Sequence, residues 1–368
     1  MIEQLSLLND EEYNFTQDNL NIKYIDATGN IMNKERLSVV SLFSGCGGMD
    51  LGFRGDFKIF NYHFEKNNFD IIFANDIDKS ACETYEYNFK HKPLCGDIRD
   101  IEIKDIPQAD IVIGGFPCQD FSHSGKRKGL TSDRGRLYLE MKKVVEHIKP
   151  KAFVAENVDG IRTSTKGTDT SALDEIIVDF MNLGYNVVYK VLNSADYGVP
   201  QTRIRVIIIG IRGDLNKLIY YPKAIRKDGC IKSPWLTAME AIDDLWDKIG
   251  HPTFYNHTEK DYSKAKFYPD KKMQGNCKIK ANRPSITIRA EHHGNIEAHY
   301  RTTNPNKPDD MMSWRRLSVR ECARLQSFPD DFIYPCSASK AYKQIGNAVP
   351  PILAWHISRA LYYSLTKE

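Results

Sequence analysis

Four short apolar runs, LSVVSLF, FDIIFANDID, ADIVIGGFPC and KAFVAENV, recur between residues 37 and 158, and stretches of helical character separate them. KSACETYEYNF, RLYLEMKKVVEHIKP and TSALDEIIVDFMNLG carry apolar residues at three-to-four spacing, the second ended by Pro150 and the third by Gly184. YNVVYKVLN and RIRVIIIGI add two more strand-like runs. Strand alternating with helix over residues 38–211 predicts a doubly wound α/β fold around a mostly parallel sheet.

The alternation then stops. Residues 212–312 hold short apolar runs among Pro, Asn, Lys and aromatics, which predicts a smaller, irregular second lobe. LSVRECARLQSF (317–328) is again helical, and KAYKQIGNAVPPILAWHISRALYYSL passes from a polar loop into an apolar helix. Residues 1–37 are polar and read as an N-terminal extension. The second lobe concentrates charge: Lys260 to Lys307 holds eleven Lys/Arg against four Asp/Glu, in a chain whose net charge is only +3. A basic block on a slightly acidic body suits a polyanion.

Composition excludes several classes. Hydrophobic residues make up 41% and charged residues 27%, as in soluble globular proteins. No apolar run approaches the roughly 18–20 residues that span a bilayer, and MIEQLSLLNDEEYNF lacks a secretory signal's basic start and apolar run. Eight cysteines without a CxxC pair suggest neither a disulfide scaffold nor a zinc ribbon. The expected setting is a reducing cytosol, with no membrane.

The strand ends carry the chemistry. SLFSGCGGMDLGF places Gly45, Gly47 and Gly48 between a strand and a helix, where a ligand can approach the backbone. The dinucleotide fingerprint requires glycine at position 50, and Asp50 stands there instead, which disfavours NAD and leaves a nucleoside ligand without a pyrophosphate open. Asp76 and Asp97 sit at successive strand ends, placed for ribose hydroxyls and an adenine amine, although an aspartate there can equally be a turn former or helix cap.

Cys118, in GGFPCQDFS, shares that edge and could be a buried thiol, a zinc ligand or a nucleophile. Zinc deaminases pair Pro-Cys with a second Cys three positions on and an upstream His-x-Glu. His63 and Glu65 supply the latter, but Phe121 occupies the ligand position, so the metal reading fails. The thiolate reading survives, favoured by Lys126, Arg127 and Lys128. Glu156 ends the run AFVAE, where partial withdrawal from water favours its protonated form, unless a basic residue such as Arg203 or Arg205 pairs with it.

Together these segments resemble the DNA (cytosine-5)-methyltransferases of bacterial restriction-modification type, over residues 38–211 and 313–357. SLFSGCGGMDLGF looks like the family's first motif, ANDID its second, GDIRD its third, GGFPCQDFS its fourth, ENVDG its sixth and QTRIRVIIIG its eighth. RRLSVRECARLQSFPDDF resembles the ninth and YKQIGNAVPPILA the tenth. The resemblance implies a fold, that of the S-adenosylmethionine-dependent methyltransferases, and an activity: methyl transfer to carbon-5 of a flipped-out cytosine in a specific duplex sequence, in the bacterial cytoplasm on the nucleoid. Alternative readings are a tRNA cytosine-5 methyltransferase and a non-catalytic DNA-binding relative.

By the same resemblance Cys118 is the thiolate that adds to carbon-6, so that carbon-5 becomes nucleophilic. Glu156 holds and protonates ring N3, Arg205 binds the ring carbonyl, Arg203 supports the site, and Gln119 and Ser122 line a loop that closes over DNA. S-adenosyl-L-methionine is the implied donor. Phe43, Gly45 and Gly48 would surround its methionine and adenosine parts. Asp76 would take the ribose, Asp97 the adenine amine, Ile77 and Ile98 would flank the ring, and Pro117, Leu137, Asn347 and Val349 would complete the pocket. No metal is implied. This chain departs in two places: GDFKIFNYHFEKNN, at 55–68, is longer than the family usually has, and Asp76 is often glutamate in relatives.

The segment at about 212–312 would read the target sequence; with the RRLSVRECARLQSFPDDF segment the recognition domain runs to 335, and 336–368 returns to the catalytic domain. Lys126, Arg127, Lys271 and Lys272 are candidates for DNA contact, mainly to phosphate, and Arg289 for a base edge. The expected partners are double-stranded DNA and a cognate restriction endonuclease, with the enzyme itself monomeric.

Overall fold

The computed structural model describes residues 22–29, 35–117, 137–163, 171–229, 234–268, 271, 276–290, 298–300 and 314–367. Its centre is a seven-stranded sheet built from β1 (Leu37–Leu42), β2 (Phe69–Asp76), β3 (Leu94–Cys95), β4 (Ile111–Gly114), β5 (Ala152–Val158), β6 (Tyr185–Asn193) and β7 (Ile204–Arg212). In space the order is β3-β2-β1-β4-β5-β7-β6. The first five strands pair in parallel, and β7 runs antiparallel between β5 and β6. The reversal follows from connection length. Residues 194–203 join β6 to β7 as a single 3₁₀ turn and loop, too short for a parallel crossover.

Helices cover both faces, which explains why the central runs are continuously apolar rather than alternating. Every residue of β4 is buried, as are Ala152–Asn157 of β5. On one face α3 (Leu137–Ile148) and α4 (Ala172–Met181) set Met141, Val144, Val145, Leu173, Ile176 and Phe180 against Val40, Leu42, Val112, Phe153 and Val206. On the other, α1 (Gly48–Arg54) and α8 (Pro351–Thr366) set Met49, Phe53, Leu353, Ile357 and Leu361 against Val39, Ile111, Ile113, Val154, Ile207 and Ile209. Local chemistry starts several helices. Asp78 caps α2 (Lys79–Phe89) through the amides of Ser80 and Ala81, and Ser171 with Asp174 forms a capping box on α4. Each such cap contributes about 1 kcal/mol.

Between β7 and residue 337, regular structure among the described residues thins to the strand Tyr220–Pro222, α5 (Ala238–Ile242), α6 (Val319–Leu325) and short turns and bridges. The apolar residues here still form one cluster: Ala241, Ile242, Ile279, Ile288, Tyr300, Leu317 and Phe328 pack with Leu51 of α1, Ile345 of α7 (Ala338–Asn347) and Trp355 of α8. The 55–68 insertion is a hairpin of Phe57–Ile59 and Tyr62–Phe64, with Phe64 edge-on to Trp355. Part of the N-terminal extension is also structured: Lys23–Ile25 pairs in parallel with Tyr220–Pro222, and Arg359 of α8 donates to the carbonyls of Ala27 and Gly29.

Candidate active site

The carboxyl ends of β1 to β5 and the start of the reversed β7 lie at one edge of the sheet, where open α/β sheets bind ligands. After β1 the chain turns sharply through Phe43 and Gly45, both at positive φ, into α1. Gly48 must be glycine: a β-carbon there would stand 2.4 Å from the Val349 carbonyl oxygen, so its absence lets the segment after α7 close against the turn.

Asp76 ends β2 with both carboxylate oxygens engaged, Oδ2 accepting from the Gly45 amide at 2.8 Å and Oδ1 from the Asp78 amide at 2.8 Å. Burial pushes its carboxyl above the usual range, against the pull of those two amides. Between them Ile77 is 68% exposed, an apolar side chain with a face free for a ring. Asp97 accepts from the Arg99 side chain and backbone amide, and the Arg99 guanidinium holds its carboxyl below the usual range. Asp50 is fully buried, accepts from the Tyr85 hydroxyl at 2.9 Å, and is pushed up to about 6 by burial.

The chain after β4 leads to the reactive side of this edge. Asn157 of β5 donates to the Phe116 carbonyl at 3.3 Å, holding the Gly114–Pro117 exit beside Glu156. Glu156 Oε1 and Arg205 Nε stand 2.8 Å apart as an ion pair, without the alignment of a hydrogen bond. The basic partner anticipated for Glu156 is therefore Arg205. Arg203 does something different. It is 1% exposed and donates to the carbonyls of Ile288 at 3.1 Å and Gly346 at 2.9 Å. Burial, reinforced by the neighbouring Arg205, lowers its pKa well below the arginine range.

These residues surround a single cavity of about 530 Å³. Its walls include Phe43, Gly45, Gly48, Asp76, Ile77, Asp97, Ile98, Pro117, Leu137, Asn347 and Val349, every residue expected at a cofactor, and also Glu156, Arg203 and Arg205. Cys118, Gln119, Ser122, Lys126, Arg127 and Lys272 lie outside the described residues. Lys271 is exposed near the Tyr268 ring and away from the cavity. Arg289 is also exposed, but its backbone packs against Gly346, close to the cavity wall. Among the described residues no cluster of His, Cys, Asp and Glu could hold a metal ion.

The family model for C-5 cytosine-specific DNA methylases matches residues 37–362. The chain belongs to that family. It is a DNA cytosine-5 methyltransferase, and a relative, the Type II methyltransferase M.FnuDI of Fusobacterium nucleatum, is 36% identical over 90% of this chain and 96% of its own length. M.NgoFVII of Neisseria gonorrhoeae is 36% identical over 89% of this chain and 87% of its own. M.BsuRI of Bacillus subtilis is 36% identical over 87% and 78%. Among solved structures, a DNA modification methyltransferase encoded within an Escherichia coli prophage superposes with a TM-score of 0.63 at 23% identity, covering 90% of this chain and all of that one. The Dnmt2 methyltransferase of S. pombe gives 0.60 at 18% identity, covering 89% and 98%. At these identities the two structures speak for the fold alone.

Sequence reading did not anticipate further polar wall residues of the enzyme's cavity, among them Asp50, Asp78, Arg99, Lys343 and Gln344. For the last two a signal was available, since they stand one helical turn before Asn347 in YKQIGNAVP.

Proposed function

We propose that S-adenosyl-L-methionine is the methyl donor and that Cys118, Glu156 and Arg205 carry the chemistry on a cytosine flipped out of duplex DNA. The observation that carries this is the meeting, in one cavity, of a nucleoside-type half around Asp76, Ile77 and Asp97 with the Glu156–Arg205 pair. The cavity's volume, about 530 Å³, falls within the roughly 300–1,000 Å³ of small-molecule sites. Asp76 presents a half-buried carboxylate for ribose hydroxyls, and the exposed Ile77 offers an apolar face for the adenine. When bound, the donor supplies an electrophilic methyl group.

The residues divide the remaining work. Cys118 follows Pro117, which lines the cavity. Its thiolate adds to carbon-6 and makes carbon-5 nucleophilic. Glu156 holds ring N3 and delivers a proton as charge builds on the ring, and Arg205 takes the ring carbonyl. The ion pair keeps both side chains aimed at one point before the base arrives, which lowers the ordering cost. Arg203 braces the site rather than touching the base. Removal of the carbon-5 proton and departure of the thiolate complete the cycle. The reaction needs the base outside the stack, because carbon-6 is inaccessible in a duplex.

Residues 38–211 and 336–368 form the catalytic domain in this reading, and 212–335 recognise the target. The Type II relatives support a modification role. In this reading the enzyme works beside a cognate restriction endonuclease, as a monomer on nucleoid DNA in a bacterial cytoplasm. The test is covalent trapping on duplex DNA containing 5-fluorocytosine, whose fluorine cannot leave as a proton. Wild type forms an adduct and Cys118→Ser forms none while still binding duplex. No adduct with wild type, or one with the serine variant, removes Cys118 from its role.

A further inference from the structure

One wall of the cavity comes from a part of the chain far from the strand ends. Lys343 and Gln344 stand on α7, and Lys343 reaches Asp78 across 265 residues of sequence. Asp78 divides its carboxylate. Oδ1 accepts from the amides of Ser80 at 3.0 Å and Ala81 at 3.4 Å, capping α2, while Oδ2 accepts from Lys343 Nζ at 2.8 Å. A second bond repeats the link one residue on, with Gln344 Nε2 donating to the Ser80 hydroxyl at 3.1 Å. The α7 helix is itself anchored: Arg203 donates to Gly346 O at 2.9 Å and Gln326 to Ala348 O at 2.6 Å. The turn Asp76–Ile77–Asp78 is thus tied at one end to Gly45, through Asp76, and at the other to α7, through Asp78.

We propose that Lys343 is a positioning residue for the nucleoside half of the methyl donor, pinning the turn that carries Asp76 and Ile77 onto α7. The proposal rests on the donor reading above. The Lys343 and Asp78 side chains are 35% and 31% exposed, so the pair is partly screened and adds little to global stability. Its effect is local. Without the pin the turn must be ordered when the ligand arrives, and that cost is subtracted from affinity.

The experiment measures binding of S-adenosylhomocysteine and of 5′-methylthioadenosine, which keeps the nucleoside and lacks the amino-acid part, together with donor KM and kcat. Lys343→Met should weaken both ligands alike, by about three- to tenfold, and raise KM by the same factor. The kcat at saturating donor and the melting temperature should stay put, and Lys343→Arg should recover most of the loss. A loss confined to S-adenosylhomocysteine would place Lys343 at the amino-acid part and overturn the proposal. So would unchanged affinity, a fall in kcat at constant KM, or no recovery with arginine. Wild type that binds neither ligand would instead sink the donor reading, on which the proposal stands.

Discussion

Glu156 and Arg205 lie two residues out of register on neighbouring antiparallel strands, and their side chains meet at 2.8 Å over the cavity. Diagonal neighbours on one sheet face are within reach of long side chains, so the pair is placed by the sheet itself. Glu156→Gln keeps the shape and removes the acid. We expect kcat to fall by roughly 10²–10⁴ with little change in duplex affinity. Arg205→Lys should not rescue function, because a point charge cannot reproduce the planar fork. Single-turnover methylation with parallel duplex-binding curves decides both, and a Gln variant with near-native kcat would exclude Glu156 as the acid.

Gly346 marks where three parts of the chain touch. A β-carbon there would stand 2.4 Å from the Arg289 carbonyl carbon and 2.6 Å from the Ala290 nitrogen, backbone atoms that cannot swing aside. Gly346→Ala should therefore push the 288–290 segment away from α7 and loosen the Arg203 bonds to Ile288 and Gly346. Donor affinity and cognate-site methylation should fall together, because Gly346 itself lines the cavity. Calorimetry and methylation assays on the purified variant test this, and a drop in only one of the two would show that the segments are independent.

The segment at 212–312 should transfer target choice. Exchanging it for the equivalent segment of a relative should move methylation to that relative's site, and retention of the old site would overturn the assignment. Within it two substitutions should behave differently. Replacing Lys271 and Lys272 with Ala should weaken all duplexes and flatten the salt dependence. Arg289→Ala should penalise the cognate duplex selectively, by about 1–3 kcal/mol if it holds a base edge. Its backbone packs beside Gly346 at the cavity, so an equal loss on cognate and scrambled duplexes would mark it as a phosphate contact or a brace.

His356, fully buried on α8 against the Tyr197 ring, is depressed to about 3 by burial, with the neighbouring Arg359 adding to the effect and Asp26 opposing it. The unfolded chain takes up this proton below pH about 6.5, and the native state resists until much lower pH. The stability it contributes is therefore full above about pH 6.5 and is lost as pH falls. Between pH 7 and 5 the loss should be about 2 kcal/mol from this group. His299, depressed to about 4, adds to the same slope. Urea unfolding of wild type and His356→Gln at both pH values measures it. An identical pH slope in the two proteins would mean that His356 is not buried neutral.

The parts of this enzyme that were legible in the amino-acid order are those with local causes. Strands β1, β2, β4 and β5 announce themselves by short apolar runs, and Asp76, Pro117 and Glu156 at their ends, with Asp97 after the two-residue β3, inherit their place from the rule that ligands gather at that edge. All four do line one cavity. The hairpin at 57–64 and the docking of Lys23–Ile25 beside Tyr220–Pro222 had no such signal, since apolar periodicity says nothing of strand partner; the antiparallel course of β7 was implicit only in the short connection 194–203.

The same limit applies within the site. That Glu156 would find a basic partner could be argued from charge, but that Arg205 takes this place while Arg203 turns to Ile288 and Gly346 depends on which carbonyls the folded chain brings near. Lys343 with Asp78, and Gly48 with Val349, are separated by most of the chain and meet only because α7 and α8 pack back against α1 and the sheet. Short-range order sets which elements form and which end of each carries a polar side chain. Contacts between distant segments are decided by close packing of whole elements, and that information exists only in three dimensions.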